Sequence, residues 1–312
     1  MHYRRATLVT VLGLLVSLAP HVAQAQAQVD SQPQATFKSS VDLVSVTAVI
    51  RDKKGRVVRT LTANDIVVTD AGKTRNIVGM QADDQAPASV ALLVDGSGSM
   101  RLGTATVSSQ QICEMILSNL RHDKDLAALM SFDTRLLTLR EFTQEFDQIR
   151  AGLGEVEAFG STSIYDAIAG TAAAVANRTQ NRRAVVVITD GADNASSYSP
   201  EEVAWIASTI DVPVYVFAVG ELNPVSASGE QTGPQQRNAL FELARATGGD
   251  YFFASSPSLV SQSTSRLLEE LRHQYLIAFE PGTTGGLRRI EIRARNTDFK
   301  VRSRKWYSTG GD

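Results

Sequence analysis

The chain has 312 residues, 43% of them hydrophobic and 21% charged, with a formal net charge of −2. Its length allows a buried core, and its composition excludes a fibrous or largely disordered chain. The near-neutral balance gives no footing for nucleic acid as a partner, and the lone Cys113 excludes an internal disulfide.

Arg4 and Arg5 precede an apolar run over residues 6–19, followed by Pro20 and Ala23-Gln24-Ala25. A basic start, a short apolar middle and small residues at the end predict a secretory signal peptide over residues 1–25. The run is shorter than the roughly 20 apolar residues a membrane span takes. Cleavage is therefore expected, leaving no transmembrane segment and an exported protein, periplasmic or secreted. Residues 26–36 are rich in Gln, Ala and Ser and read as a linker.

Residues 37–85 carry a β pattern. Positions 41–50 alternate and become apolar on both sides towards the end, while Ile66-Val67-Val68 is a second strand. Asp52-Lys53-Lys54-Gly55 and Asp70-Ala71-Gly72-Lys73 have turn composition.

From residue 86 to 272 the rhythm changes. Strands are predicted at 90–94, 126–132, 184–189 and 214–219, with an edge strand at 136–142. Helices are predicted at 107–120, 164–176, 200–210, 235–247 and 259–273. Ser199 before Pro200-Glu201-Glu202 is a helix cap, and Thr247-Gly248-Gly249 closes a helix. Cys113 falls among Ile112, Ile116, Leu117 and Leu120 at helical spacing, which makes it a core residue. Short apolar strands alternating with helices imply an α/β domain, a doubly wound, mostly parallel Rossmann-like sheet covered on both faces.

The β pattern returns over residues 273–308, in segments 275–279, 287–294 and 299–302. Neither terminal β stretch is large enough to bury a core alone. The expectation is that residues 37–85 and 273–308 pack together as one small β-sandwich around the inserted α/β domain.

One stretch stands out. The apolar strand that opens the α/β unit ends in Asp95-Gly96-Ser97-Gly98-Ser99, a tight turn offering one carboxylate and two hydroxyls. Oxygen ligands suit a hard divalent cation. Thr189-Asp190-Gly191 follows another apolar strand, and Gly160-Ser161-Thr162 precedes a helix. All three belong at the carboxyl edge of the sheet, where open α/β sheets bind ligands.

Together these loops resemble the metal-ion-dependent adhesion site of von Willebrand factor type A domains. The resemblance covers residues 86–272 and falls, residue by residue, on Asp95, Ser97, Ser99, Thr162 and Asp190. The flanking segments, with Leu271-Arg272-His273-Gln274-Tyr275 before a strand, are similar to a bacterial exported subfamily. The resemblance implies a metal site holding Mg2+ by preference, with Mn2+ and Ca2+ as alternatives. It also implies a protein partner that presents Asp or Glu to that ion, with Gly96, Gly98, Ser161 and Gly191 bordering the contact. The function expected is an exported, metal-dependent interaction or adhesion module. The alternative is an envelope scaffold whose metal only rigidifies its loops.

Other features read more plainly. Asp193 is a solvated loop acid, and Asp166 is an acid on the first turn of a helix. The polar residues 221–236 leave the same sheet edge and are expected to border the site. Alternating charge in 287–295, with Lys300, Arg302, Arg304 and Lys305, gives one solvated face of a strand, the sharper option being contact with an anionic surface. An enzyme is not expected. Without the signal only His122 and His273 remain, and neither a Gly-x-Ser-x-Gly elbow, a dinucleotide fingerprint nor a complete phosphate loop occurs.

Overall fold

Fourteen strands and six α-helices follow one another in the computed structural model, which describes residues 43–82, 84–101, 104–180, 182–191, 193–219 and 234–309. The expected signal peptide and linker, and most of segment 221–236, lie outside these residues. The N-terminal part gives β1 (Val44–Arg51), β2 (Ile66–Asp70), β3 (Lys73–Arg75) and β4 (Ile77–Ala82). The alternating part runs β5 (Ala88–Asp95), α1 (Ala105–Asn119), β6 (Leu126–Phe132), β7 (Leu136–Thr143), α2 (Phe146–Leu153) and α3 (Ile164–Ala176). It continues with β8 (Arg182–Thr189), α4 (Pro200–Thr209), β9 (Val214–Val219), α5 (Pro234–Ala246), β10 (Tyr251–Ala254) and α6 (Pro257–Arg272). The chain closes with β11 (Tyr275–Phe279), β12 (Gly286–Ala294), β13 (Lys300–Ser303) and β14 (Trp306–Thr309).

The central sheet has the order β10-β9-β8-β5-β6-β7, parallel throughout except for β7 against β6. Every residue of β5 is buried, because successive side chains enter two different cores. Leu92 and Val94 join Ile112, Ile116, Phe146 and Leu267 on the face of α1, α2 and α6. Ala91 and Leu93 join Ile164, Ile168, Val203 and Leu240 under α3, α4 and α5. A strand covered on both faces needs a continuous apolar run, which is what the sequence supplies. Cys113 is fully buried in the first core, and that burial pushes its thiol up to about 12.

The terminal segments form two four-stranded antiparallel sheets, β13-β1-β11-β4 and β14-β12-β2-β3. Each sheet mixes strands from both ends of the chain. One core lies between them, with Val46, Ala48, Ile50, Ile277 and Phe279 facing Ile66, Val68, Ile290, Ile292 and Tyr307. This is the single sandwich expected from two halves that cannot each bury a core.

Sandwich and α/β domain meet around the end of α5. Lys305 N donates to Ala246 O at 2.8 Å. A Cβ on Gly249 would lie 1.9 Å from Val214 O, so no larger residue fits there. Charge also crosses this boundary. Glu270 of α6, 0% exposed, accepts from Arg51 Nε at 3.0 Å and pairs with Arg302, and Arg302 also pairs with Asp250.

Helix α4 begins with a reciprocal cap. Ser199 Oγ accepts from Glu202 N at 3.2 Å, and Glu202 Oε2 accepts from Ser199 N at 2.8 Å. Ser199→Ala is expected to lower stability by about 1 kcal/mol, read as a lower urea midpoint at unchanged slope.

Candidate functional site

Strand order reverses beside β5. The chain passes from β5 to β6 on one side, then returns through α3 to β8 on the other. The carboxyl ends of β5 and β8 therefore border the crevice in which open α/β sheets bind ligands. Asp95 is the last residue of β5, and Asp190 follows the last residue of β8.

Three loops are drawn together there by hydrogen bonds. Thr189 Oγ1 donates to Asp95 Oδ2 at 2.5 Å, which ties the ends of the two strands. Gly98 N donates to Gly160 O at 3.4 Å and Phe159 N to Gly96 O at 2.7 Å, so the segment before α3 lies along the Asp95–Ser99 turn. Asn194 N donates to Thr162 O at 3.0 Å and accepts, through Oδ1, from Thr162 N at 2.9 Å. Asp95, Ser97, Ser99, Thr162 and Asp190 thus stand on three mutually bonded loops at one edge of one sheet. Ser97 Oγ and Ser99 Oγ are 3.0 Å apart.

Burial decides the electrostatics. Asp95 is 1% exposed, Ser97 2%, Thr162 3% and Asp190 8%. Asp95 Oδ1 accepts from Ser97 N at 2.8 Å, and among the described residues no lysine or arginine pairs with it. Burial first, and the charge of Asp190 second, push the Asp95 carboxyl up to about 7 against the hydrogen bonds of Thr189 and Ser97. Its folded value lies above the unfolded one. Ionising Asp95 therefore works against the fold as pH rises from about 4 to about 7.

The close packing explains the small residues of the turn. A Cβ on Gly96 would come within 2.9 Å of Glu157 O and 3.0 Å of Ser131 Oγ. Gly96 and Gly191 are buried, so they shape the loops; Ser161 is exposed and Gly98 half-buried.

Asp193 is not the solvated acid expected. It is half-buried, and its Oδ1 accepts from Ile164 N at 2.9 Å and Ser196 Oγ at 2.5 Å, capping α3. Asp166 answers from the helix side, accepting from Ser197 N and Tyr198 N. These two acids fasten the Asp190 loop to the helix that follows Thr162. Thr189 and Asn194, to which the sequence reading gave no role, complete the frame. A hydroxyl residue at the end of a buried strand, directly before Asp190, was the available sign for Thr189.

The basic C-terminal residues are largely consumed inside the protein. Arg288 pairs with buried Asp70, Arg302 with Asp250 and Glu270, and Arg304 with Asp211. The outward face of β12 keeps Arg289, Glu291 and Arg293, a mixed-charge solvated strand. No helix among the described residues is long and apolar enough to cross a membrane.

Residues 90–192 match the von Willebrand factor type A domain family. No curated protein matches the chain. Among solved structures, the conserved hypothetical protein BatB from Bacteroides thetaiotaomicron is 17% identical, with 59% of this chain and 98% of that chain covered and a TM-score of 0.48. A von Willebrand factor type A protein from Catenulispora acidiphila is 12% identical over 87% of this chain and 76% of that one, with a TM-score of 0.49. The PilB minor pilin from Streptococcus sanguinis is 13% identical over 64% and 63%, with a TM-score of 0.45. The matched residues span all three loops, from Asp95 to Asp190, and the chain carries a von Willebrand factor type A domain.

Proposed function

We propose that the protein is an exported interaction module that uses a divalent cation, Mg2+ by preference, to capture an Asp or Glu side chain of a protein partner. The observation that carries this reading is the buried carboxylate of Asp95, which has no lysine or arginine paired with it among the described residues and feels the charge of Asp190. A cation would remove the cost of ionising Asp95, and the surrounding donors fit one, since they are all oxygens.

Asp95, Ser97, Ser99, Thr162 and Asp190 would hold the ion. When bound, a hard cation offers an incoming carboxylate a strong electrostatic contact, because hard cations take oxygen ligands and three of these five donors are uncharged. The protein's own part is to fix the three loops. Thr189 orients Asp95, Asn194 holds the backbone of Thr162, and Asp193 and Asp166 pin the Asp190 loop to α3. The exposed Ser161 and half-buried Gly98 form the rim.

Calorimetric titration of the EDTA-treated protein with Mg2+ and Mn2+, beside Asp95→Ala, tests the reading. Saturable binding by the parent and none by the folded variant is the expected result. A folded parent that binds neither ion overturns it. Metal binding combined with chelator-insensitive capture of aspartate-bearing peptides would instead make the ion a rigidifying element of a scaffold.

A further inference from the structure

Outside the metal loops, α4, α5, β12 and β14 border a groove of about 740 Å3. The chain has two tryptophans, and both line it. Trp205 of α4 is 46% exposed and Leu287 of β12 43% exposed. A contiguous apolar surface of this kind, rimmed by charge, marks an interaction site rather than ordinary surface scatter.

The rim charges are sorted by wall. The helical wall carries Glu201 and Glu242, and the sheet wall carries Arg289 and Lys305. Among these four charges one exposed pair, Glu242 with Lys305 at 3.5 Å, spans the groove. A surface with an acidic wall, a basic wall and an apolar knob beside an apolar groove is complementary to itself. Turned by a two-fold axis, the acidic wall of one copy meets the basic wall of the other, and each Trp205 faces the other copy's groove.

We propose that this groove is a two-fold interface between two copies of the chain. The apolar centre supplies the buried anchors, with tryptophan the residue type most enriched at such positions. The sorted charges set orientation, because the reversed face-to-face approach lays acidic wall on acidic wall and basic on basic.

Sedimentation velocity on the purified protein, from micromolar to hundred-micromolar concentration, tests this directly. A dimer that dissociates on dilution is expected. Its tryptophan emission should shift to the red as it dissociates, since both indoles report from the groove. Two wall variants then decide the geometry. Glu201→Lys with Glu242→Lys makes both walls basic, and Arg289→Glu with Lys305→Glu makes both acidic.

Each variant alone should self-associate at least tenfold more weakly. Mixed in equal amounts they should form a heterodimer, which also proves that both remain folded. A parent that stays monomeric throughout overturns the proposal and leaves the groove to another molecule, a peptide or a glycan. Variants that dimerise as well as the parent, or that fail to pair when mixed, overturn it equally.

Discussion

Alanine in place of Glu270 is expected to lower the free energy of unfolding by about 3 kcal/mol or more. The side chain is wholly buried on α6, and besides Arg266 on the same helix its partners come from the sandwich, Arg51 on β1 and Arg302 on β13. Arg51 is itself 7% exposed. The substitution leaves two guanidinium groups with too little negative charge in a place water reaches poorly, and that uncompensated burial is the source of the cost. Arg302 keeps Asp250, and Arg51 keeps Glu269, which limits the loss.

Glu269→Ala provides the contrast. Its side chain is 37% exposed, and its bond to Arg51 is partly screened by solvent, so less than about 1 kcal/mol is expected. Urea midpoints for the two variants check the pair. Equal, small shifts would mean that the buried charges contribute no more than a surface salt bridge.

The same residues show where sequence reading reaches and where it stops. Strands β5, β6, β8 and β9 were legible because double burial demands unbroken apolar runs, and such runs have few other uses. The helices between them were legible from their spacing and from signals such as Ser199 before Pro200. Helix α2 was missed. It is eight residues long and buries only Phe146, Ile149 and Gly152, too little periodicity to stand out.

Buried charge was the larger omission. Asp70 read as part of a turn and Arg288 and Arg304 as a solvated strand face, while Arg51, Asp250 and Glu270 drew no reading, since charged residues are rarely buried unless paired. Their pairing is settled by contacts such as Arg51 to Glu270, 219 positions apart. No local pattern encodes a partner at that distance. The site loops are the opposite case. Each is announced locally, by the end of an apolar strand or the start of a helix, and the fold needs only to place the strands side by side. Thr189, Asn194 and Asp193 act between loops, so their parts emerge only once the loops meet.

Asp70→Asn is the second substitution with a large expected effect, about 3 kcal/mol at neutral pH. Asp70 closes β2 and is 0% exposed. Arg288 grips both its oxygens at 2.7 Å, Arg75 Nε donates at 2.9 Å and Gly282 N at 2.9 Å. Burial pushes this carboxyl up, but the bonds from Arg288 and Gly282, with Tyr307 behind them, outweigh it and hold the group at about 2. The folded value lies below the unfolded one of 3.8. Asp70 therefore stabilises the fold in full above about pH 4, and loses about 2 kcal/mol of that contribution as pH falls towards 2.

The asparagine variant has no such group to titrate. Its stability deficit relative to the parent should shrink by that amount over the same interval, measured as urea midpoints at neutral pH and down the acid limb. Two curves running parallel through this range would refute the assignment. The position of the pair in the chain explains why its loss should be global. Asp70 belongs to the segment before the α/β domain and Arg288 to the segment after it. Their bond closes the sandwich across the entire inserted domain, and neither half has a core of its own to fall back on.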